Sequence, residues 1–149
     1  MKATLKLEKP AYVYESRSGR SFGLTDAAEI ELKGLDCMLF SVLPYEVKGV
    51  AVDAPKAVKK GETLTVKVKV KGEGEQRMST HVVRVELVPP EGYSEERFAP
   101  VKPQVLDAPK GEVTAEFPIA YNEAVEYFDL VVTDVMTGKS VTQKIKVTD

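Results

Sequence analysis

Apolar and polar residues alternate with a period of two along most of this chain. In residues 64–71, four aliphatic residues alternate with Thr65 and three lysines. Residues two apart lie on the same face of a β-strand, so the segment predicts a strand with one face toward a core and one toward water. A helix would distribute the three lysines around its whole circumference.

The same pattern recurs at regular intervals from residue 46 onward. It predicts seven strands, near 46–52, 63–71, 80–88, 97–105, 112–119, 127–134 and 140–148. Turn sequences rich in Gly and Pro separate them, and Gly138 is expected to close a hairpin in the left-handed conformation. No segment shows a sustained helical period, so we expect an all-β fold.

This spacing of strands is typical of an immunoglobulin-like or fibronectin-like two-sheet sandwich. The chain has no tryptophan and one cysteine, so the buried Trp and paired Cys of antibody domains are absent. Residues 1–45 predict four further strands, near 2–8, 11–15, 27–33 and 37–43, which form a small antiparallel β unit. We therefore expect two units, residues 1–45 and residues 46–149, that meet near Pro44.

The charge balance narrows the classes of partner. Twenty-one basic and 23 acidic residues give a formal net charge of −2, whereas nucleic-acid-binding surfaces carry an excess of positive charge. No apolar run reaches the length of a membrane-spanning helix. The first residues alternate and are charged, unlike a signal peptide. We expect no nucleic acid and no membrane insertion, and the chain is either cytosolic or a piece whose signal lies upstream.

The residues that carry acid–base and metal chemistry are few. Cys37 lies in an apolar run expected to be covered on both faces, which predicts a buried thiol. The one histidine, His81, is in phase with the apolar residues of its strand, which predicts a structural role. One Cys and one His exclude a metal site built from those residues. A calcium ion shared between loops stays open.

The carboxylates do not form an evident catalytic pair. Glu95 and Glu96 would point to opposite faces of an extended strand, and Asp129 is expected on a solvated face. No Gly-x-Ser-x-Gly sequence presents a serine nucleophile. We therefore expect no catalytic residue, no cofactor and no metal ion, and we expect that the chain is not an enzyme.

Exposed aromatic side chains offer one type of binding site. Tyr93, Phe98 and Tyr121 lie in or near connections that would gather at one end of the sandwich. Aromatic rings can stack on the apolar faces of sugar rings, so these three residues are candidate carbohydrate-binding residues. The alternative is that they cover the rim of the core or seal an interface.

Short motifs in residues 12–45 resemble the closing β segment of large bacterial glycoside hydrolases. The motifs are Tyr12 to Gly19, Phe22 to Asp26, Leu39-Phe40 and Leu43-Pro44-Tyr45. Residues 58–64 and 131–138 are similar to immunoglobulin-like accessory modules appended to such enzymes. Glu15 stands where the pattern more often has Asp. The resemblance implies a secreted or cell-surface parent protein, with catalytic carboxylates on a barrel that lies outside this chain.

Together these observations favour a non-catalytic structural or interaction module, the C-terminal part of a larger carbohydrate-active protein. Its partner would be a neighbouring domain, and residues 1–45 would carry an exposed apolar patch where that domain binds. The alternatives are a carbohydrate-binding module with a polysaccharide ligand and an adhesion-type subunit with an uncovered apolar edge strand. A stand-alone enzyme would need an enclosed pocket with titratable residues.

Overall fold

The computed structural model describes residues 1–34, 37–73, 77–93 and 101–149. In these ranges the fold is all-β, as the alternating pattern predicted, and a short 3-10 turn, Pro109–Gly111, is the one helical element. The strands in chain order are β1 (Lys2–Glu15), β2 (Arg20–Glu31), β3 (Phe40–Leu43), β4 (Glu46–Asp53), β5 (Ala57–Lys59), β6 (Thr63–Glu73), β7 (His81–Val88), β8 (Gln104–Ala108), β9 (Glu112–Pro118), β10 (Tyr127–Asp134) and β11 (Ser140–Thr148). Within these ranges no helix is long and apolar enough to cross a membrane.

The strands form three sheets. The N-terminal sheet has the order β2-β1-β3, and the two sheets of the sandwich have the orders β5-β11-β10-β7-β8 and β4-β6-β9. The one parallel pair is β5 with β11. The expected two-sheet sandwich preceded by a small antiparallel unit is therefore confirmed.

The sandwich core follows from the period-two pattern. On β6 the inward residues Leu64, Val66, Val68 and Val70 are at most 2% exposed, whereas the lysines between them face water. They pack with the inward residues of β10, which include Leu130 and Val132 at 0% exposure. Each buried aliphatic side chain stabilises the fold by about 1.5–3 kcal/mol, so the alternation of β6 and β10 drives closure of the two sheets.

The N-terminal sheet bends back on itself. Residues 7–10 of β1 form a bulge, because the pairing with β2 steps from Lys6 to Ala11 on one strand and only from Ala27 to Thr25 on the other. Arg20, next to the β1–β2 turn, lines the same groove as Lys2 and Glu31 from the far end of the hairpin. Val13 is 0% exposed and lies on the central strand of this sheet, between Gly23 and Val42.

The predicted strand positions need five corrections. The strands expected near 2–8 and 11–15 form one strand, β1, which contains the bulge at residues 7–10. The strand expected near 27–33 begins already at Arg20, because the β1–β2 turn is tight and the strand continues through the bulge. The strand expected near 97–105 is seen as β8, Gln104–Ala108, and residues 94–100 lie outside the described ranges. The short β5 was not predicted, because three residues are too few to show a period. The strand expected near 37–43 begins at Phe40.

Cys37 and Leu39 precede β3, and both are exposed, Leu39 at 58%. The prediction of a buried thiol is therefore wrong. The apolar run does not form a strand covered on both faces, because its first residues are irregular. Arg17 fixes this segment by donating a hydrogen bond from Nη1 to the Cys37 carbonyl oxygen at 3.0 Å.

The β1–β2 turn lies against the β10–β11 turn, and we call this contact between the N-terminal sheet and the sandwich the joint. The Ser16 hydroxyl donates to the Met136 carbonyl oxygen at 2.9 Å, and the Tyr14 hydroxyl accepts a hydrogen bond from the Val47 N–H at 2.9 Å. Burial raises the pKa of Tyr14, which keeps its hydroxyl protonated. Tyr14 and Leu43 belong to the same hydrophobic cluster as the sandwich core. The division into separate units at residue 45 stays a prediction.

Two glycines lie against each other in this joint. Gly138 has a φ of +71°, and a Cβ added there would lie 2.5 Å from the Cα of Gly19. Because that neighbour is backbone, only a movement of one turn away from the other would accommodate a side chain. Gly23 has a similar φ of +72°, but no atom lies within 4 Å of its Cβ position.

We predict that Gly138→Ala destabilises the protein more than Gly23→Ala. Both substitutions place alanine in the left-handed region, which costs about 1–2 kcal/mol, and Gly138→Ala also separates the two turns. The free energy of unfolding in urea measures both losses. Equal losses for the two variants would show that the joint tolerates a wider spacing.

Candidate functional site

The most deeply buried polar group of the described chain is a carboxylate paired with the one histidine. Asp134, at the end of β10, and His81, at the start of β7, are both 0% exposed. His81 Nδ1 lies 3.0 Å from Asp134 Oδ1, and the Thr137 hydroxyl donates to Asp134 Oδ2 at 2.6 Å. Each carboxylate oxygen therefore has a partner, which a buried carboxylate requires.

The network continues from the histidine toward the surface. His81 Nε2 lies 2.9 Å from the Tyr45 hydroxyl, and Tyr45 in turn accepts a hydrogen bond from the Ser79 N–H at 2.9 Å. The Ser79 hydroxyl also contacts the Tyr45 hydroxyl. All contacts are satisfied when His81 Nδ1–H donates to Asp134 and the Tyr45 hydroxyl donates to Nε2.

This arrangement determines what His81 can do. Both ring nitrogens are occupied by protein groups, so neither has a lone pair free for a metal ion or a ligand. The hydrogen bonds instead fix Tyr45, which is 2% exposed, between the N-terminal sheet and the sandwich. The structural role predicted for His81 agrees with this geometry.

A second buried carboxylate organises the β1–β2 turn. Glu15 is 4% exposed, and it accepts hydrogen bonds from the backbone N–H groups of Arg17 at 3.2 Å and Ser18 at 2.7 Å. A hydrogen bond from the Ser18 side chain, followed by those backbone bonds, lowers the pKa of Glu15 below its ordinary value of 4.5. Ionised Glu15 thus holds the turn that contacts Gly138.

The three residues predicted to bind carbohydrate, Tyr93, Phe98 and Tyr121, differ in their surroundings. Tyr93 is partly buried against the core, and its hydroxyl donates to the Ala124 carbonyl oxygen at 3.3 Å. Tyr121 lies in that same connection, between β9 and β10, and it is 85% exposed. The structure therefore brings Tyr93 and the loop of Tyr121 to one end of the sandwich. Phe98 lies outside the described residues.

The carboxylates considered as a catalytic pair do not form a site among the described residues. Asp129 lies on β10 at 3.7 Å from Lys144 Nζ, on the partly exposed face where it was expected. Glu95 and Glu96 lie outside the described residues. Across residues 1–34, 37–73, 77–93 and 101–149, no three His, Cys, Asp or Glu residues are grouped so that they could hold a metal ion.

The period-two pattern of β10 places Asp134 among the buried residues, which is a sequence signal for the hydrogen-bonded network. Asp134 follows Phe128, Leu130 and Val132 on the inward face of β10. A carboxylate at an inward position needs a buried hydrogen-bonding partner, and the in-phase His81 was the obvious candidate. Tyr45 and Ser79 carried no comparable sign, because both lie outside the regular strands.

Similarity to known proteins is limited to solved structures. No family model matches the chain, and no curated protein matches it. One similar solved structure is the superoxide reductase (neelaredoxin) from Ignicoccus hospitalis, which is 17% identical, with 68% of this chain and 82% of that chain covered, at a TM-score of 0.44. At this identity and TM-score the likeness carries no argument about the site.

One prediction from the sequence is contradicted by this comparison. We expected that the chain is not an enzyme, but the structural neighbour is an enzyme. The sequence contains no catalytic motif, but an active site assembled from residues far apart in the chain would leave no such motif. The resemblance to glycoside hydrolase accessory modules stays a prediction.

We predict that Asp134→Ala destabilises the protein by about 3 kcal/mol or more, because it leaves His81 and Thr137 without their buried partner. Asp129→Ala is the matched control, since it lies on the same strand and removes a partly exposed ion pair of about 0–1 kcal/mol. Urea unfolding of both variants gives the comparison. Similar losses would contradict a special role for the buried network.

We predict that Glu15→Gln is less stable than the natural protein at neutral pH by about 1 kcal/mol or more. The folded pKa of Glu15 lies below 4.5, so its ionised form stabilises the fold above that value and loses this effect as the pH falls through the folded pKa. The difference between the two proteins should therefore shrink as the pH falls below 4.5 and through the lowered folded pKa of Glu15. A difference that is constant with pH would show that charge is not involved.

Proposed function

We propose that this chain is a structural and interaction module of a larger secreted or surface carbohydrate-active protein. Residues 1–45 form the contact with a neighbouring domain of that protein, and residues 46–149 form an immunoglobulin-like sandwich. The motifs of residues 12–45 that resemble the closing β segment of bacterial glycoside hydrolases support this proposal. The observation that carries it is the exposed apolar surface of the N-terminal sheet.

That surface lies on β3 and on the bulge of β1. A groove there is lined largely by apolar residues: Leu7, Pro10, Ala11, Val42, Leu43 and Pro44. Val42 is 47% exposed, although it lies in a strand. Leu24 and Leu39 on the same sheet and its connection are 60% and 58% exposed. An apolar groove at the margin of a small sheet is a typical interaction surface.

The edge of β3 adds hydrogen-bonding groups to this surface. Among the described strands, β3 pairs only with β1, on one side, so the backbone groups of its other edge are available to a further strand. A neighbouring β domain would pair with this edge and place apolar side chains in the groove. This combination favours a protein neighbour over a soluble small ligand at the N-terminal sheet.

The adhesion-type alternative has less support from the sandwich edges. β5 has three residues, and the edge strand β8 carries the exposed Asp107. Short edge strands and charged residues both oppose exchange of strands between chains. The Gln104 side chain further ties β8 to the other sheet by donating to the Glu116 carbonyl oxygen at 2.7 Å.

We predict that the native protein is much larger than the 149-residue chain. An antibody raised against the recombinant chain, used on cell extract and culture medium of the source, should detect an exported band well above the recombinant standard. A native band that comigrates with the standard inside cells would overturn the proposal.

The same larger protein allows a test of the contact surface. Val42→Asp places a charge in the groove, so limited trypsin digestion should release a fragment that contains this chain several times faster than from the natural protein. Val105→Asp is the control, because Val105 is 63% exposed on β8 and lies outside the groove. Equal digestion of the two variants would show that the groove does not contact the neighbouring domain.

A further inference from the structure

The most exposed aromatic side chain of the described residues lies at the end of the sandwich opposite the joint. Tyr121 is 85% exposed, in the connection between β9 and β10. Its ring lies directly on Gly61, so closely that a Cβ on residue 61 would overlap the ring atoms. One side of the ring, around Cε1, therefore lies close to the backbone of Gly61, and most of the residue is open to solvent.

Several hydrogen bonds hold the loop that carries Tyr121, most of them between residues of the loop itself. The Glu123 N–H donates to the Ala120 carbonyl oxygen at 3.2 Å, and the Gly61 N–H donates to the Ile119 carbonyl oxygen at 3.0 Å. The Glu123 carboxylate accepts from the Ala124 and Val125 N–H groups at 3.0 and 3.1 Å. Such a loop loses little conformational freedom when a ligand binds to the ring, which favours binding.

Polar residues lie next to both Gly61 and Tyr121 in the chain. Lys60, beside Gly61, forms an ion pair with Asp149 at 2.6 Å, while Glu62 and Asn122 are exposed. Amide and carboxylate groups can donate to or accept from neighbouring hydroxyl groups of a ligand. Because acidic residues outnumber the lysine here, and Asp149 already neutralises it, the surface disfavours phosphates and acidic polymers.

We propose that Tyr121, supported by Gly61, is a binding platform for a neutral saccharide. A pyranose ring would stack its apolar C–H face on the exposed tyrosine ring, and its hydroxyl groups would contact the polar side chains around it. Tyr93 contacts the same loop, through the hydrogen bond from its hydroxyl to the Ala124 carbonyl oxygen. The site is independent of the contact surface on residues 1–45.

The test is affinity electrophoresis of the chain in gels that contain neutral polysaccharides: xylan, galactomannan, mixed-linkage β-glucan and hydroxyethyl cellulose. At least one should retard the natural chain. Tyr121→Ala should weaken that binding about tenfold, which corresponds to about 1.4 kcal/mol, because it removes the stacking surface. Tyr121→Phe should keep most of it, because the stacking face remains.

Two glycine variants separate the platform from general effects on the fold. Gly61→Ala displaces the Tyr121 ring and should weaken binding, whereas Gly23→Ala imposes the same backbone strain in open space and should not. Each variant is checked by its unfolding midpoint. Absence of retardation by every neutral polysaccharide, retardation only by an acidic one such as polygalacturonate, or full binding by Tyr121→Ala would overturn the proposal.

Discussion

The arrangement of the whole molecule depends on the burial of one carboxylate. Asp134 lies at 0% exposure in an apolar core, where an unpaired charge would cost several kcal/mol. Its two oxygens hold His81 and Thr137, and its backbone carbonyl oxygen accepts the Gly138 N–H at 2.8 Å. The turn fixed in this way is the one that contacts the β1–β2 turn. The orientation of the N-terminal sheet is thus set by a residue of the sandwich.

The elements that could be predicted from the sequence are those that bury one face of a regular strand. β6, β7, β9, β10 and β11 show this alternation clearly, and they lie close to where the pattern placed them. The positive φ of Gly138 was also expected, because its turn needs a left-handed residue. In these cases the neighbours along the chain contain all the information that the local structure needs.

The features that could not be predicted depend on contacts between residues far apart in the chain. Tyr45 and His81 are 36 positions apart, and Gly19 reaches Gly138 across most of the sequence. The prediction for Cys37 was wrong for the same reason. Its apolar neighbours in the chain suggested burial, but Cys37 is exposed, and its carbonyl oxygen accepts a hydrogen bond from Arg17, 20 positions away. Of the candidate binding residues, only the exposure of Tyr121 distinguishes it from Tyr93, and exposure is a property of the folded chain.

The tyrosine platform and the joint to the N-terminal sheet lie at opposite ends of the same strand. β10 runs from Tyr127, beside the Tyr121 loop, to Asp134, beside the joint, over roughly 23 Å at about 3.3 Å per residue. A domain bound to the N-terminal sheet would therefore leave the tyrosine platform uncovered. A ligand on the platform would in turn leave the groove of β3 free. Because the rigid sandwich separates the two surfaces, either proposal can fail without affecting the other. If both hold, the sandwich presents a saccharide-binding end at a fixed distance from the domain to which it is attached.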